Sequence, residues 1–166
     1  IQNINLSTNE LKTLHIEIPK TPHLRTVDLS NNKIKSLFIQ SEKIHCHIED
    51  ICLINNKLKH WPSDIFSHCT QLQKIHCAYN ELPSIPSKIK YLTKLRTFCA
   101  QHNNITDVSS LATCLHLEHI NVEDNQITHI PKELLLLPKL RYLNLKNNSI
   151  TSLPNIQAPS LEYLFL

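Results

Sequence analysis

Cys52, His76 and Cys99 stand 24 and 23 residues apart, with His102 and His119 close behind. Thiol and imidazole are donors that zinc takes. A thiol beside an imidazole is also a nucleophile beside its base. Either chemistry needs a fold that brings residues two dozen positions apart onto neighbouring elements.

The rest of the chain supplies such a device. The pattern L-x-x-L-x-L-x-x-N-x-L starts at Ile1, Leu24, Ile48, Leu72, Leu95, Leu117, Leu140 and Leu161. Seven copies reach the asparagine at position 9: Asn9, Asn32, Asn56, Asn80, Asn103, Asn125 and Asn148. The eighth ends at Leu166, inside its expected strand. On a short strand positions 4 and 6 point to one face and 3, 5 and 7 to the other. Positions 1, 4, 6, 11 and 14 are apolar, as in Leu140, Leu143, Leu145, Ile150 and Leu153, and are expected to face inward. Burying each is worth ~1.5–3 kcal/mol, provided a neighbouring copy covers it. Stacked copies make a parallel sheet. Glycine is absent, so Asn, Asp, Ser and Pro must make the turns. The position-9 amide is expected to bond backbone groups in its own turn and in the next coil, as a buried amide requires.

This pattern resembles the leucine-rich repeat family over the whole length of the chain. The resemblance implies an α/β solenoid: a right-handed superhelix of about eight repeats with its parallel β-sheet on the concave face. Short 3₁₀, helical or extended segments would form the convex side. Trp61-Pro62, Ile85-Pro86, Ile130-Pro131 and Leu153-Pro154 look like the short intracellular class. Repeat 95–116 is similar to the 22-residue phosphatase-regulator class, and "LKHWPSDIFSHCTQL" to the 24-residue class of receptor ectodomains. The least regular convex segment is expected at 35–47. No methionine and no polar cap is present, so residues 1–166 are expected to be one uncapped domain of a larger protein.

In this frame Cys52, His76 and Cys99 share position 5 of consecutive strands, facing outward. Strands lie about 4.8 Å apart, so adjacent members can reach one ion through bonds of about 2.0–2.3 Å. Cys52 and Cys99, two strands apart, join less easily. The usual ligand spacings are missing, and no metal or cofactor is expected. The nucleophile reading lacks a third group, an oxyanion loop and a pocket, so the segment is expected to be non-catalytic. Cys77 reads as a core residue, while Cys46, Cys69 and Cys114 fill the return from the convex side to the strand. Reduced thiols in a cytoplasmic protein are the expectation, with an extracellular location as the alternative. The "HCH" at 45–47 reads as a solvated loop.

The net charge of +3 is small and dispersed, and the longest aliphatic run is Leu134–Leu137. Neither nucleic acid nor membrane is an expected partner. Along the strand-entry edge Arg25, Arg96 and Arg141 alternate with Glu49, Glu118 and Glu162, a pattern suited to cross-strand ion pairs. The partner is expected to be a protein bound on the concave face. Tyr142, Tyr163 and Phe165 form the first candidate cluster, with His119 and Arg141 adjacent; Ile54, His76 and Tyr79 form a central second one. The chain thus reads as a recognition module or scaffold within a larger intracellular, multidomain signalling protein. A receptor-ectodomain fragment is the alternative, and a metal-binding or enzymatic solenoid the third reading.

Overall fold

The computed structural model describes residues 1–17, 22–40, 46–62, 64–155 and 157–166. Among these, eight short strands form one parallel sheet: β1 (Asn3–Asn5), β3 (Thr26–Asp28), β5 (Asp50–Cys52), β6 (Lys74–His76), β7 (Thr97–Cys99), β8 (His119–Asn121), β9 (Tyr142–Asn144) and β10 (Tyr163–Phe165). Their order in the sheet is their order in the chain. Equivalent repeat positions pair in register, as in Ile51↔Ile75 and Phe98↔Ile120. The fold is an α/β leucine-rich repeat solenoid, as the family resemblance implies.

The central residue of each strand points inward. Val27, Ile51, Ile75, Phe98, Ile120 and Leu143 are buried, together with the position-6 side chains Leu29, Leu53, Cys77, Ala100, Val122 and Leu145. No coil could bury these alone; each is covered by the coil stacked upon it. Position 14 follows the rule less closely. Ile85, Val108 and Ile130 are buried, Trp61 is half-buried and Leu153 is exposed. No convex segment among the described residues stacks on Leu153.

The convex side changes character along the chain. Later copies carry single turns that pack side by side: α1 (Ile65–His68), 3₁₀ turns at Ser87–Tyr91 and Ser109–Thr113, and α2 (Lys132–Leu135). The first two copies instead carry β2 (Thr13–Glu17) and β4 (Ser36–Gln40), paired in parallel as a second small sheet. The expected irregularity of 35–47 is therefore corrected for 36–40, while 41–45 lie outside the described residues. The cause is a period of two: Leu14, Ile16, Leu37 and Ile39 turn inward, while His15 and Phe38 stack outside at 4.6 Å.

The asparagine column holds the coils together. Nδ2 of Asn103 donates to the carbonyls of Ala100 and Cys77, at 3.1 and 3.0 Å, and its Oδ1 accepts from the N–H of Leu82 at 2.9 Å. Asn32, Asn56, Asn80, Asn125 and Asn148 repeat this scheme. The expected direction is corrected: the partner groups belong to the preceding coil, not the next, because the amide points back beneath the strand it has just left. Among the described residues the Asn9 side chain bonds only its own turn, at the carbonyls of Leu6 and Ser7.

The residue before each of these asparagines takes a left-handed backbone. Thr8, Asn31, Asn55, Tyr79, His102, Asp124 and Asn147 all have φ between 53° and 58°. Asn, Asp and His tolerate this region; a bulky tyrosine or a β-branched threonine does so at a cost.

Candidate protein-binding face

Positions 3, 5 and 7 of the large sheet form its open face. Several polar side chains there are occupied by their own backbone. Asn5, Asp28, Asn121 and Asn144 each accept from the N–H two residues on, at 2.9–3.1 Å, turning the chain off the strand. Asn144 is buried and also donates to Glu123 at 2.9 Å. Sequence reasoning missed this role; a small Asx residue two positions before a turn was the available signal.

The C-terminal part of the face is aromatic. His119 on β8 stacks on Tyr142 on β9, with centroids 4.2 Å apart and planes 9° apart. Tyr142 also meets Phe165 at 5.4 Å and Tyr163 at 6.3 Å, both on β10. Lys146 holds its ammonium 4.9 Å from the Phe165 ring, a cation–π distance. Parallel pairing without a register shift makes this cluster, since His119, Tyr142 and Tyr163 are all position-3 residues. Burial lowers the proton affinity of His119, and nearby His76 adds to the effect.

Arg141 does not join this cluster. It lies on the strand-entry edge with Nε 3.6 Å from Glu162. Arg25 pairs with Glu49 along the same edge, and Arg96 with Glu118 at 2.8 Å. The predicted alternation is thus a run of cross-strand pairs.

The central candidates part company. Ile54 and His76 are half-buried on the open face. Tyr79 sits on the turn at φ 55°, 52% exposed, stacked on His102 at 4.2 Å. His102 Nε2 is in turn 3.3 Å from Asp124. This row is made by consecutive left-handed positions, which sequence spacing placed only as lying just beyond the face.

Cys52, His76 and Cys99 do occupy paired positions on β5, β6 and β7. Among the described residues, no three His, Cys, Asp or Glu side chains gather where they could hold a metal ion. Burial pushes the Cys99 thiol up to about 11 and raises Cys52 as well. A thiol so shifted is protonated at neutral pH, the opposite of an activated nucleophile.

The expectation of six reduced thiols needs correction. Cys46 and Cys69 form a disulfide, with Cα atoms 4.8 Å apart and both residues buried. They stand one repeat apart, two and three residues before their copies begin at Ile48 and Leu72, where stacking alone sets a distance inside the disulfide range. Cys52, Cys77, Cys99 and Cys114 remain thiols. Of the "HCH" stretch, His45 lies outside the described residues, and Cys46 is a core residue rather than part of a solvated loop.

Comparison with known proteins agrees with this architecture. Profiles described as leucine-rich repeat match residues 114–166 and 20–36, and a two-copy leucine-rich repeat profile matches 93–132. A leucine-rich repeat protein of Leptospira interrogans superposes with a TM-score of 0.90 at 28% identity, over 99% of this chain and 42% of that one. An internalin of Listeria monocytogenes gives 0.69 at 18% identity, over 97% of this chain and 52% of its own. A TDR receptor gives 0.74 at 24%, over 98% and 30%. At those identities the last two show the shared fold alone. The chain spans less than two thirds of the length of each. Among the described residues no helix is long and apolar enough to cross a membrane.

Proposed function

Since the chain belongs to the leucine-rich repeat family, we propose that its concave sheet face binds a protein partner through the aromatic cluster at its C-terminal part. A protein-interaction module is what this family and this architecture support. The observation that carries the finer reading is the packing of His119, Tyr142, Tyr163 and Phe165 into one partly exposed group. Aromatic side chains dominate binding hot spots, because they bury much area at little conformational cost. A non-catalytic role goes with this reading, since burial holds the Cys99 thiol protonated. Affinity capture from the source organism, followed by calorimetric titration of the captured protein, tests the reading. Tyr142→Ala should weaken binding by about 2 kcal/mol or more, while Lys132→Ala, on the convex side, should leave it unchanged. Equal binding by a folded Tyr142→Ala protein would move the site to Ile54, His76 and Tyr79.

Two compartments fit different cysteines. A cytoplasmic scaffold agrees with the four free thiols, whereas an extracellular recognition domain is favoured by the Cys46–Cys69 bond, since disulfides persist in oxidising surroundings. Alkylation in denaturant of the protein from its source extract, before any reductant, separates the two. Labelled Cys46 and Cys69 mean cytoplasm; an intact bridge means an oxidising compartment.

A further inference from the structure

A groove on the convex half of the third and fourth copies has no part in the face described above. Trp61, Pro62 and Phe66 form one wall, and Pro83 and Pro86 the other, around a depression of about 280 Å³. Trp61 stands at position 14, where Ile85, Val108 and Ile130 are buried in their own copies. The indole is too large to be swallowed in the same way and stays half-buried. It is held firmly: Nε1 donates to the carbonyl of Ser84 at 2.6 Å, and the ring packs on Phe66 at 5.2 Å and Phe98 at 6.0 Å. The prolines fix the opposite wall, so the groove exists without rearrangement.

The charged residues of its lining are lysines. Lys59, His60 and Lys88 line the opening, and no carboxylate does so among the described residues. Glu81 reaches Lys59 at 3.5 Å, while no described carboxylate pairs with Lys88. Pockets for cofactors and drug-sized ligands run from ~300 to 1,000 Å³. This groove is smaller and open along one side, so it suits one or two side chains of an extended segment.

We propose that this groove docks an acidic, aliphatic segment of a protein partner, with its apolar side chains on Trp61 and Phe66 and its carboxylates at Lys88 and Lys59. The site is separate from the concave face, and neither reading depends on the other.

Trp61 is the single tryptophan of the chain, so its emission reports on this groove and nowhere else. The full chain is titrated with three peptides: acetyl-Leu-Leu-Asp-Glu-amide, acetyl-Leu-Leu-Asn-Gln-amide and acetyl-Ser-Ser-Asp-Glu-amide. The first should give a saturable emission change, and both others should bind more weakly, the uncharged one by about two- to fivefold, the scale of an exposed charge contact. Lys88→Ala, an exposed change checked for an unaltered melting curve, should weaken the first peptide toward the affinity of the uncharged one, with Lys59 retaining the remainder. Tyr142→Ala should leave all three titrations unchanged. No saturable response, equal binding by the uncharged peptide, or indifference to Lys88→Ala overturns the proposal. Tighter binding of 3-phenylpropionate than of the first peptide also overturns it, by making the groove a small-carboxylate site.

Discussion

The imidazole of His119 lies flat on the ring of Tyr142, one strand away, 4.2 Å between centroids. The contact partly desolvates His119, which lowers its proton affinity, with His76 contributing. An unfolded histidine titrates near 6.5, and the folded one takes its proton at lower pH. The unfolded state then binds more protons through that window. Stability from this group is fully present above about pH 6.5, declines as pH falls below it, and levels off beneath the folded value. Denaturant midpoints at pH 7.5 and 5.5 should therefore differ more for the parent protein than for His119→Gln. Parallel shifts in both would remove His119 as the cause.

Asn103 and Asn9 occupy the same repeat position and should respond differently to alanine. Removing Asn103 strands the buried N–H of Leu82 and takes one of two amide donors from the carbonyls of Cys77 and Ala100, which keep Asn80 and Asn125. The expected cost is about 1–3 kcal/mol. Asn9 is exposed, and among the described residues its side chain serves only its own turn, so Asn9→Ala should cost less than half as much. Urea denaturation of the two variants compares them directly, and equal losses would contradict the role assigned to the preceding coil.

Tyr79 pays a backbone cost that asparagine would not. At φ 55° a bulky side chain is disfavoured, and the neighbouring copy holds Asn55 at the same angle. Tyr79→Asn should raise stability by about 0.5–1 kcal/mol, less whatever the surface stack on His102 returns. A lower melting temperature in the variant would show that the stack outweighs the strain.

The Cys46–Cys69 bond closes a loop with a sequence separation of 23. Constraining the unfolded chain over such a loop stabilises by about 2–4 kcal/mol. Both residues are buried, so reductant should reach them only after local opening. Thermal melts with and without reductant, and of the Cys46→Ala Cys69→Ala protein, measure the effect. If the oxidised parent melts no higher than that variant, the bond contributes nothing to the fold.

The repeat was legible from sequence because one local rule recurs. Asparagine at position 9 and apolar residues at 1, 4 and 6 have a meaning within a single coil, and eight copies make that meaning unambiguous. From it came the parallel sheet, the in-register placing of Tyr142 beside Tyr163, and the Arg–Glu alternation along the edge. Contacts that depend on how far one coil stands from the next, or on how its side chains turn, were not legible. Cys46 and Cys69 are unremarkable in a list of six thiols and meet only because two returns stack with their Cα atoms 4.8 Å apart. Tyr79 reads as an extra aromatic near the face; the left-handed turn carries it outward onto His102. The Trp61 groove arises from two convex segments packed side by side, neither of which contains it alone. Periodicity within a coil is a property of the chain, whereas a pocket, a disulfide or a ring stack belongs to the space between coils, and only tertiary packing sets that space.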